Sequence, residues 1–255
     1  ILVILESFSD KVIESLGGMP GVTPCINTLC DQGILFSSFY ATGTRSDKGI
    51  SALIASYPSL IKTSSILLFP EKMKKLYYLP EYFKERGYNL SFYYGGDPNF
   101  YNTSMLLTQA GVENIVSRND FPLSVATMQK WGVPDAFLYE RLADDLLKTQ
   151  EPFFNIVYTV SSHEPFDIPS FKRIKDNSSA GRYCNSVAYA DSCLGAFVER
   201  IKASRLWDNT LLIITSDHAS LEPGPTTFAD PASYRIPMLW TGGVVDTTFV
   251  CENIA

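Results

Sequence analysis

The stretch ILVILE, residues 1–6, decides the fold that this sequence predicts. A continuous apolar run that is rich in β-branched residues is typical of a strand buried on both faces, as in a parallel sheet covered by helices. The last residue of the stretch, Glu6, then lies at the carboxyl end of this core strand.

Apolar runs of the same kind alternate with amphipathic segments along the rest of the chain. Strands are predicted at residues 34–40, 88–94, 152–160, 209–216 and 236–242. Helices are predicted at residues 23–33, 46–56, 76–87, 103–111, 134–149 and 179–203, and a surface loop at 219–235. Because alternating strands and helices require crossover connections, the pattern predicts an α/β fold, a three-layer sandwich with a mainly parallel central sheet.

Composition and charge narrow the class of protein. Of the 255 residues, 45% are hydrophobic and 19% are charged, which suits one large α/β domain over residues 1–255. The net charge of −6 argues against a nucleic-acid partner, because binding to a phosphate backbone needs a basic face. The five cysteines show neither a CxxC pair nor a zinc-site spacing, so we expect them to be buried apolar residues.

The two ends of the sequence indicate a piece of a longer protein. The chain starts directly with a core strand and ends at Ala255 without a terminating signal. We therefore expect that an anchor or targeting segment lies outside these residues. The chain itself holds no apolar run of the roughly 18 residues that a membrane-spanning helix needs.

Polar side chains follow three of the predicted strands at the point where each strand ends. Glu6 follows the first strand, His163 follows 152–160, and Asp217 and His218 follow 209–216. The carboxyl ends of parallel strands lie at one edge of a sheet, so these groups can converge. Glu6, Asp217 and His218 form a mixed O/N ligand set that suits Mn²⁺, Zn²⁺ or Mg²⁺. The alternatives are a capping carboxylate at Glu6 and histidines with a structural or surface role.

Three hydroxyl groups lie in the loop between the strand 34–40 and the next helix, on Thr42, Thr44 and Ser46. The N–H donors and the positive dipole end of that helix favour a phosphoryl or sulfuryl oxygen. A cation beside one of these hydroxyls would lower its pKa and make it a nucleophile. An ordinary turn with capping hydroxyls is the alternative.

Five short motifs occur in the order ILVILESF, FYATGTRSDKG, YYGGDPNFYN, SSHEPF and TSDHA. Together they resemble the lipoteichoic acid synthase-like branch of the sulfatase family, within the alkaline phosphatase superfamily. The resemblance extends from residue 1 to about residue 242, nearly the whole chain. It implies an alkaline phosphatase-like sandwich and one divalent cation, with Mn²⁺ favoured over Mg²⁺, Zn²⁺ and Ca²⁺.

The resemblance also implies roles for individual residues. The family's metal ligands correspond to Glu6, Thr44, Asp217 and His218. Its substrate contacts correspond to His163, Asp97, Tyr101 and Asn102. Thr44 would be the nucleophile, and Arg45 could clamp the transferred group with two hydrogen bonds.

The chain departs from the family around the nucleophile. Lipoteichoic acid synthases typically carry Lys-Thr-Ser-Asp where this chain reads GTRSD, residues 43–47. Thr44 matches by the glycine before it, and Ser46 and Thr42 stay open as alternatives. Classical sulfatases use a Cys or Ser that matures to formylglycine, and no cysteine lies near this loop. With two histidines in the chain, a single-metal site is expected rather than a two-metal site.

The activity implied by the resemblance is transfer of a phosphoglycerol-type group from an anionic lipid head group through a covalent threonine intermediate. The domain would then face the periplasm or the cell surface, held at the cell membrane by a missing N-terminal segment. Hydrolysis of sulfate or phosphate esters is an alternative that uses the same residues, and phosphoethanolamine transfer is a third variant. The alternative of another class is a catalytically inactive binding domain.

Overall fold

A single sheet carries the fold in the computed structural model, which describes residues 1–58, 64–224 and 227–254. Its strands are β1 (Leu2–Leu5), β2 (Ile34–Phe36), β3 (Asn89–Tyr94), β4 (Asn114–Val116), β5 (Phe153–Tyr158), β6 (Leu212–Ser216), β7 (Met238–Thr241) and β8 (Phe249–Cys251). They lie in the order β4-β3-β5-β1-β6-β7-β2-β8. The strand from the opening stretch of the sequence therefore lies in the middle of the sheet.

Helices connect the strands and cover both faces of the sheet. The α-helices are α1 (Pro24–Cys30), α2 (Ser46–Ala55), α3 (Pro70–Met73), α4 (Leu79–Lys84), α5 (Thr103–Gln109), α6 (Leu123–Ala126), α7 (Asp135–Leu146) and α8 (Ser179–Lys202). Single turns of 3-10 helix lie at Asp10–Val12, Glu14–Leu16, Ile66–Leu68, Phe100–Asn102, Arg118–Asp120, Trp207–Asn209 and Pro231–Tyr234. In the parts of the chain that the structure describes, no helix is long and apolar enough to cross a membrane.

Strand β1 pairs in parallel with β5 on one side and with β6 on the other. Its residue Val3 lies opposite Val157 and Ile214. Val3, Ile4 and Leu5 are fully buried, which confirms the prediction of a strand covered on both faces.

Alternate residues of β1 belong to two separate hydrophobic cores. Val3 and Leu5 pack with the apolar faces of α1, α7 and α8. Leu2 and Ile4 pack with apolar residues of α2, α3 and α5 on the other face. Each such aliphatic side chain contributes about 1.5–3 kcal/mol when it is fully buried. The three-layer α/β sandwich with a mainly parallel sheet is thus confirmed.

The structure differs from the predicted elements at the less buried strands. Strand β7 runs antiparallel to both of its neighbours, β6 and β2. Strands β4 and β8, of three residues each, are too short to give a periodic signal in the sequence. The predicted strand 34–40 ends at Phe36, and beyond it the Ser37 carbonyl accepts a hydrogen bond from Arg235 Nη2 at 2.6 Å. The predicted loop 219–235 contains one helical turn at Pro231–Tyr234, and its residues 225 and 226 lie outside the described ranges.

Candidate active site

The ends of β1 and β6 bring three predicted metal ligands together. Leu5 and Ser216 are register partners in this parallel pair, so the next residues along each strand, Glu6 and Asp217, emerge side by side. Glu6, Asp217 and His218 each offer one ligand atom, and these atoms all lie within 4.8 Å of one another. We call these three residues the cation cluster.

The histidine of the cation cluster is oriented by a backbone carbonyl. His218 Nδ1 lies 3.1 Å from the carbonyl oxygen of Ala219, which can only accept, so Nδ1 carries the hydrogen. In the neutral imidazole, Nε2 then keeps its lone pair. It lies 3.6 Å from Glu6 Oε1 and 3.5 Å from Asp217 Oδ2. A carbonyl behind the ring is the usual way in which proteins orient a metal-binding histidine.

The two carboxylates of the cation cluster are almost completely buried, with 3% of Glu6 and 1% of Asp217 exposed. Burial raises the pKa of Glu6, and the nearby charge of Asp217 raises it further. Burial alone would lower the pKa of His218, but the charges of Asp217 and Glu6 outweigh it and leave the pKa raised. Burying two carboxylates side by side is unfavourable, and a positive charge between them would relieve their repulsion. The donor set of two carboxylate oxygens and one imidazole nitrogen therefore fits a divalent cation.

The turn after β1 is held in a fixed shape by hydrogen bonds to its backbone. Ser7 has a φ of 57°, a left-handed conformation that is uncommon outside glycine, and its N–H donates to Asp217 Oδ1 at 2.9 Å. The N–H of Glu6 donates to Thr159 Oγ1 at 3.0 Å, and the Ser162 hydroxyl donates to the Glu6 carbonyl at 2.5 Å. Residues that follow β5 thus fix the backbone of Glu6, and the residue that follows β6 fixes the backbone of Ser7.

A tyrosine that the sequence analysis missed lies between the two carboxylates. Tyr158, the last residue of β5, has its hydroxyl 2.5 Å from Glu6 Oε2 and 2.7 Å from Asp217 Oδ2. Its ring stacks on Tyr94 with centroids 5.0 Å apart and planes 10° apart. Burial and the two carboxylates raise the pKa of Tyr158 well above its usual value, so the phenol stays a hydrogen-bond donor. In the sequence it is only one more apolar position of a core strand.

Ser46 is the loop hydroxyl that lies beside the cation cluster. Its Oγ is 3.4 Å from Glu6 Oε2 and 3.4 Å from His218 Nε2. Ser46 is the first residue of α2, which packs so closely on the end of β6 that Gly49 has no room for a Cβ next to the Asp217 carbonyl. Thr44 lines the same cleft, and Thr42 is exposed. The geometry therefore favours Ser46 over Thr44 as the hydroxyl nearest a bound cation.

A cleft of about 600 Å³ opens in front of the cation cluster, lined on one side by Thr44, Arg45 and Ser46 and on the other by Trp131 and His163. The guanidinium of Arg45 contacts the hydroxyl of Tyr101 and lies 5.2 Å from the centre of its ring. Arg45 Nε lies 3.3 Å from Asp47 Oδ1, which further orients it. Both predicted contacts, Arg45 and Tyr101, thus face the space where a substrate would lie.

Trp131 forms much of the opposite wall and was not predicted. Its Nε1–H donates to the Glu164 carbonyl at 2.7 Å, and its ring lies 4.2 Å from that of His163 and 5.6 Å from that of Phe100, between centroids. His163, a predicted substrate contact, is held by this ring and by the 2.9 Å contact of its Nδ1 with the Glu164 carbonyl. Trp131 lies in a segment between elements, where no sequence pattern marks it.

Two other predicted substrate contacts are engaged elsewhere. Asp97 is exposed, and its Oδ1 accepts a hydrogen bond from the N–H of Asn99 at 2.9 Å. The Nδ2 of Asn102 donates to the carbonyl of Leu67 at 2.9 Å. The structure gives both side chains the role of stabilising the segment that carries Tyr101, and neither is among the residues that line the cleft.

A model of the sulfatase family matches residues 1–243. The chain belongs to the sulfatase family. The resemblance inferred from the five motifs is thereby confirmed. Among curated relatives, the lipoteichoic acid synthase-like protein YvgJ of Bacillus subtilis is 25% identical over 226 residues, which are 86% of this chain and 36% of that protein. This chain thus spans about a third of the length of the curated relatives it matches.

Solved structures of sulfatase-family relatives share the fold of the whole described domain. A protein of the alkaline phosphatase superfamily from Vibrio parahaemolyticus is 30% identical, with a TM-score of 0.89 over 100% of this chain and 62% of that one. The lipoteichoic acid synthase LtaP from Listeria monocytogenes is 22% identical, with a TM-score of 0.86 over 99% of this chain and 67% of that one. The alkaline phosphatase-like fold is confirmed by these similarities.

Proposed function

We propose that this domain transfers a phosphoglycerol-type group from an anionic lipid head group, in a reaction that depends on one divalent cation and on Ser46 as the nucleophile. The observation that carries the proposal is the position of the Ser46 hydroxyl, 3.4 Å from both Glu6 and His218 at the start of α2. Relatives named lipoteichoic acid synthase support the substrate class. We also propose that the domain works at the outer face of a membrane.

Glu6, Asp217 and His218 would hold the cation, with the Ser46 oxygen as a fourth donor. When bound, a divalent cation lowers the pKa of a neighbouring hydroxyl and neutralises charge on the transferred group. Mn²⁺, Mg²⁺ and Zn²⁺ all suit this mixture of oxygen and nitrogen donors. The burial of Glu6 beside Asp217 supports the same assignment, because a bound cation would relieve the repulsion between the two carboxylates.

The residues around Ser46 supply the remaining steps. Ser46 Oγ would lose its proton, attack phosphorus and form a phosphoester bond, while the bond from phosphorus to the lipid alcohol breaks and that alcohol takes up one proton in exchange. The positive end of α2 and the Arg45 guanidinium would stabilise the anionic oxygens of the transferred group. His163, on the opposite wall of the cleft, is placed to contact the leaving group. A second alcohol, or water, would then release the group from Ser46.

The test is release of diacylglycerol from phosphatidylglycerol with and without added Mn²⁺, compared among wild type, Ser46→Ala and Thr44→Ala. We expect Ser46→Ala to lower turnover by at least about a thousandfold, since it removes the nucleophile. Thr44→Ala should stay within about tenfold of wild type. Full turnover by Ser46→Ala together with loss in Thr44→Ala would assign the nucleophile to Thr44 instead. Turnover of an aryl sulfate but not of phosphatidylglycerol would replace head-group transfer by sulfate ester hydrolysis.

A further inference from the structure

Four large apolar side chains stand exposed beside the cleft. Their exposed fractions are 55% for Leu68, 40% for Phe69, 43% for Phe100 and 38% for Met105. They come from the turn Ile66–Leu68, the start of α3, the turn Phe100–Asn102 and α5, and these four short elements contact one another in a ring. Large apolar side chains exposed together on neighbouring elements, when polar groups accompany them, mark a site of interaction.

The exposed side chains are held in place by a buried layer directly beneath them. Leu67, Met73, Leu106 and Leu107 come from the same elements and are fully buried. The hydrogen bond from Asn102 to the Leu67 carbonyl joins two of the four elements. The core is therefore complete without the exposed residues, and their exposure is a fixed property of this surface.

Three exposed lysines, Lys72, Lys74 and Lys75, follow Phe69 closely along the chain, and Lys74 Nζ lies 3.0 Å from Glu71 Oε1. The Nζ of Lys72 lies 4.4 Å from the centre of the Phe69 ring, so charge and apolar surface are in contact. Residues 68–75 contain three lysines and one glutamate, a net charge of +2. Because the whole chain carries −6, the remainder carries −8. The segment 68–75 is thus positively charged in an otherwise acidic protein.

We propose that Leu68, Phe69, Phe100 and Met105, with Lys72, Lys74 and Lys75, form a patch that seats the domain on an anionic lipid bilayer. Lysines attract anionic head groups, and the apolar side chains can enter the boundary between head groups and acyl chains. Charge complementarity selects this occupant over an uncharged apolar partner. We call this set of residues the basic-apolar patch.

The patch is continuous with the cleft. The ring of Phe100 lies 4.4 Å from that of Tyr101 and 5.6 Å from that of Trp131, and both of those residues line the cleft. A bilayer on the patch would therefore present its head groups at the mouth of the cleft. The biological role of this patch rests on the proposed function. Binding to a bilayer, however, can be measured without any turnover.

The experiment is co-sedimentation of the purified chain with vesicles of phosphatidylcholine alone or of phosphatidylcholine mixed with phosphatidylglycerol. We expect binding to the mixed vesicles, weaker binding at high salt, and little binding to phosphatidylcholine. Lys72→Glu/Lys75→Glu should bind the mixed vesicles at least about tenfold more weakly. The matched control is Lys148→Glu/Lys175→Glu, at two exposed lysines outside the patch, which should bind within about twofold of the wild type.

The absence of binding to the mixed vesicles at low salt would overturn the proposal. Equal loss of binding in the two charge-reversal variants, or equal binding to both kinds of vesicle, would overturn it as well. Thermal unfolding of each variant shows whether it is folded. Phe69→Ser supplies a second test, because it leaves all charges in place and should also weaken binding to the mixed vesicles. Ser46→Ala should bind vesicles as wild type does, so a failure of the proposed transfer reaction would not be mistaken for a failure of the patch. Concentration-dependent dimers that Phe69→Ser abolishes, without vesicle binding, would assign the patch to self-association and contradict the proposal.

Discussion

The cation cluster and the opposite wall of the cleft share one edge of the sheet but are held by different means. Glu6 and Asp217 follow paired strands of the sheet and are almost completely buried. The Glu6 N–H donates to Thr159 Oγ1, and Asp217 Oδ1 accepts from the Ser7 N–H. Trp131 and His163 lie on connecting segments, where each is held by the ring of the other and by a polar contact with the Glu164 carbonyl.

This difference suggests that the buried cation cluster serves the chemical reaction and that the wall of the cleft serves substrate recognition. Groups that must hold a cation need fixed geometry, which adjacent parallel strands provide. Groups that select a head group can lie on loops, where sequence changes cost little stability. Substitutions in the cation cluster should therefore change cation affinity, and substitutions in the wall should change substrate affinity alone.

The largest expected effect is on the cation cluster itself. Asp217→Asn removes one of two anionic ligands and should weaken Mn²⁺ binding by more than about a hundredfold, since outer-shell changes alone cost 10–100-fold. Calorimetric titration of Mn²⁺ measures this. The matched control is Asp97→Asn, an exposed carboxylate outside the cluster, which should leave the affinity unchanged. Equal affinities in the wild type and Asp217→Asn would remove Asp217 from the site.

The next effect concerns the tyrosine between the carboxylates. Tyr158→Phe keeps the ring stacked on Tyr94 but removes the hydroxyl that orients Glu6 and Asp217, so Mn²⁺ affinity should fall by about tenfold. Tyr139→Phe is the control, because its buried hydroxyl has no hydrogen-bond partner within the described residues. A loss of affinity of the same size in both variants would mean that Tyr158 has no specific role in the cluster.

A substitution in the wall of the cleft should change substrate affinity without changing cation affinity. Trp131→Leu removes the ring that contacts His163 and Phe100 and should raise KM for phosphatidylglycerol by about tenfold, with kcat changed much less. Calorimetric Mn²⁺ affinity should equal that of wild type. A fall in Mn²⁺ affinity would show that the wall and the cluster are one unit.

The smallest expected effect is on stability and concerns the support of the wall. Asp135 Oδ1 accepts hydrogen bonds from the N–H groups of Val160 and Ser161, in the segment that leads to His163. Burial raises the pKa of Asp135 from 3.8 to about 6. The folded state thus binds this proton more tightly than the unfolded state does, so the stabilisation is present at low pH and is lost as the pH rises from 3.8 to about 6.

Asp135→Asn carries no titrating proton and should lack this part of the pH dependence. Urea unfolding of wild type and Asp135→Asn across this pH range measures the difference between them. Parallel pH dependence in the two proteins would show that Asp135 does not titrate in this range.

The sequence could predict the buried centre of this molecule better than its rim. Strand β1 and its glutamate were predictable because a continuous apolar run has one stable place, inside the sheet, and its end must reach the edge. Strands β4 and β8 were not predictable, because a strand of three residues is too short to show a hydrophobic periodicity. Tyr158 was hidden because an apolar strand position does not reveal that its hydroxyl reaches two carboxylates.

The loop around the nucleophile shows the same limit. Motif matching favoured Thr44, while the start of a helix at Ser46 was also predicted from the sequence. Which hydroxyl reaches the cluster depends on how closely α2 packs on β6, and Gly49 marks that contact only once the structure shows what it faces. Trp131 and His163 likewise meet through the tertiary fold, from segments that no local pattern connects.

The most direct test of Ser46 beside the cation cluster is to find the residue that carries the transferred group. Wild type is mixed with phosphatidylglycerol and Mn²⁺, quenched in acid, and cleaved after arginine. Arg45 is the first arginine in the chain and Arg86 the next, so Thr42 and Thr44 fall on the peptide 1–45 and Ser46 on the peptide 46–86. Mass spectrometry should find the added phosphoglycerol on the second peptide, at Ser46. An adduct on peptide 1–45 would contradict the account.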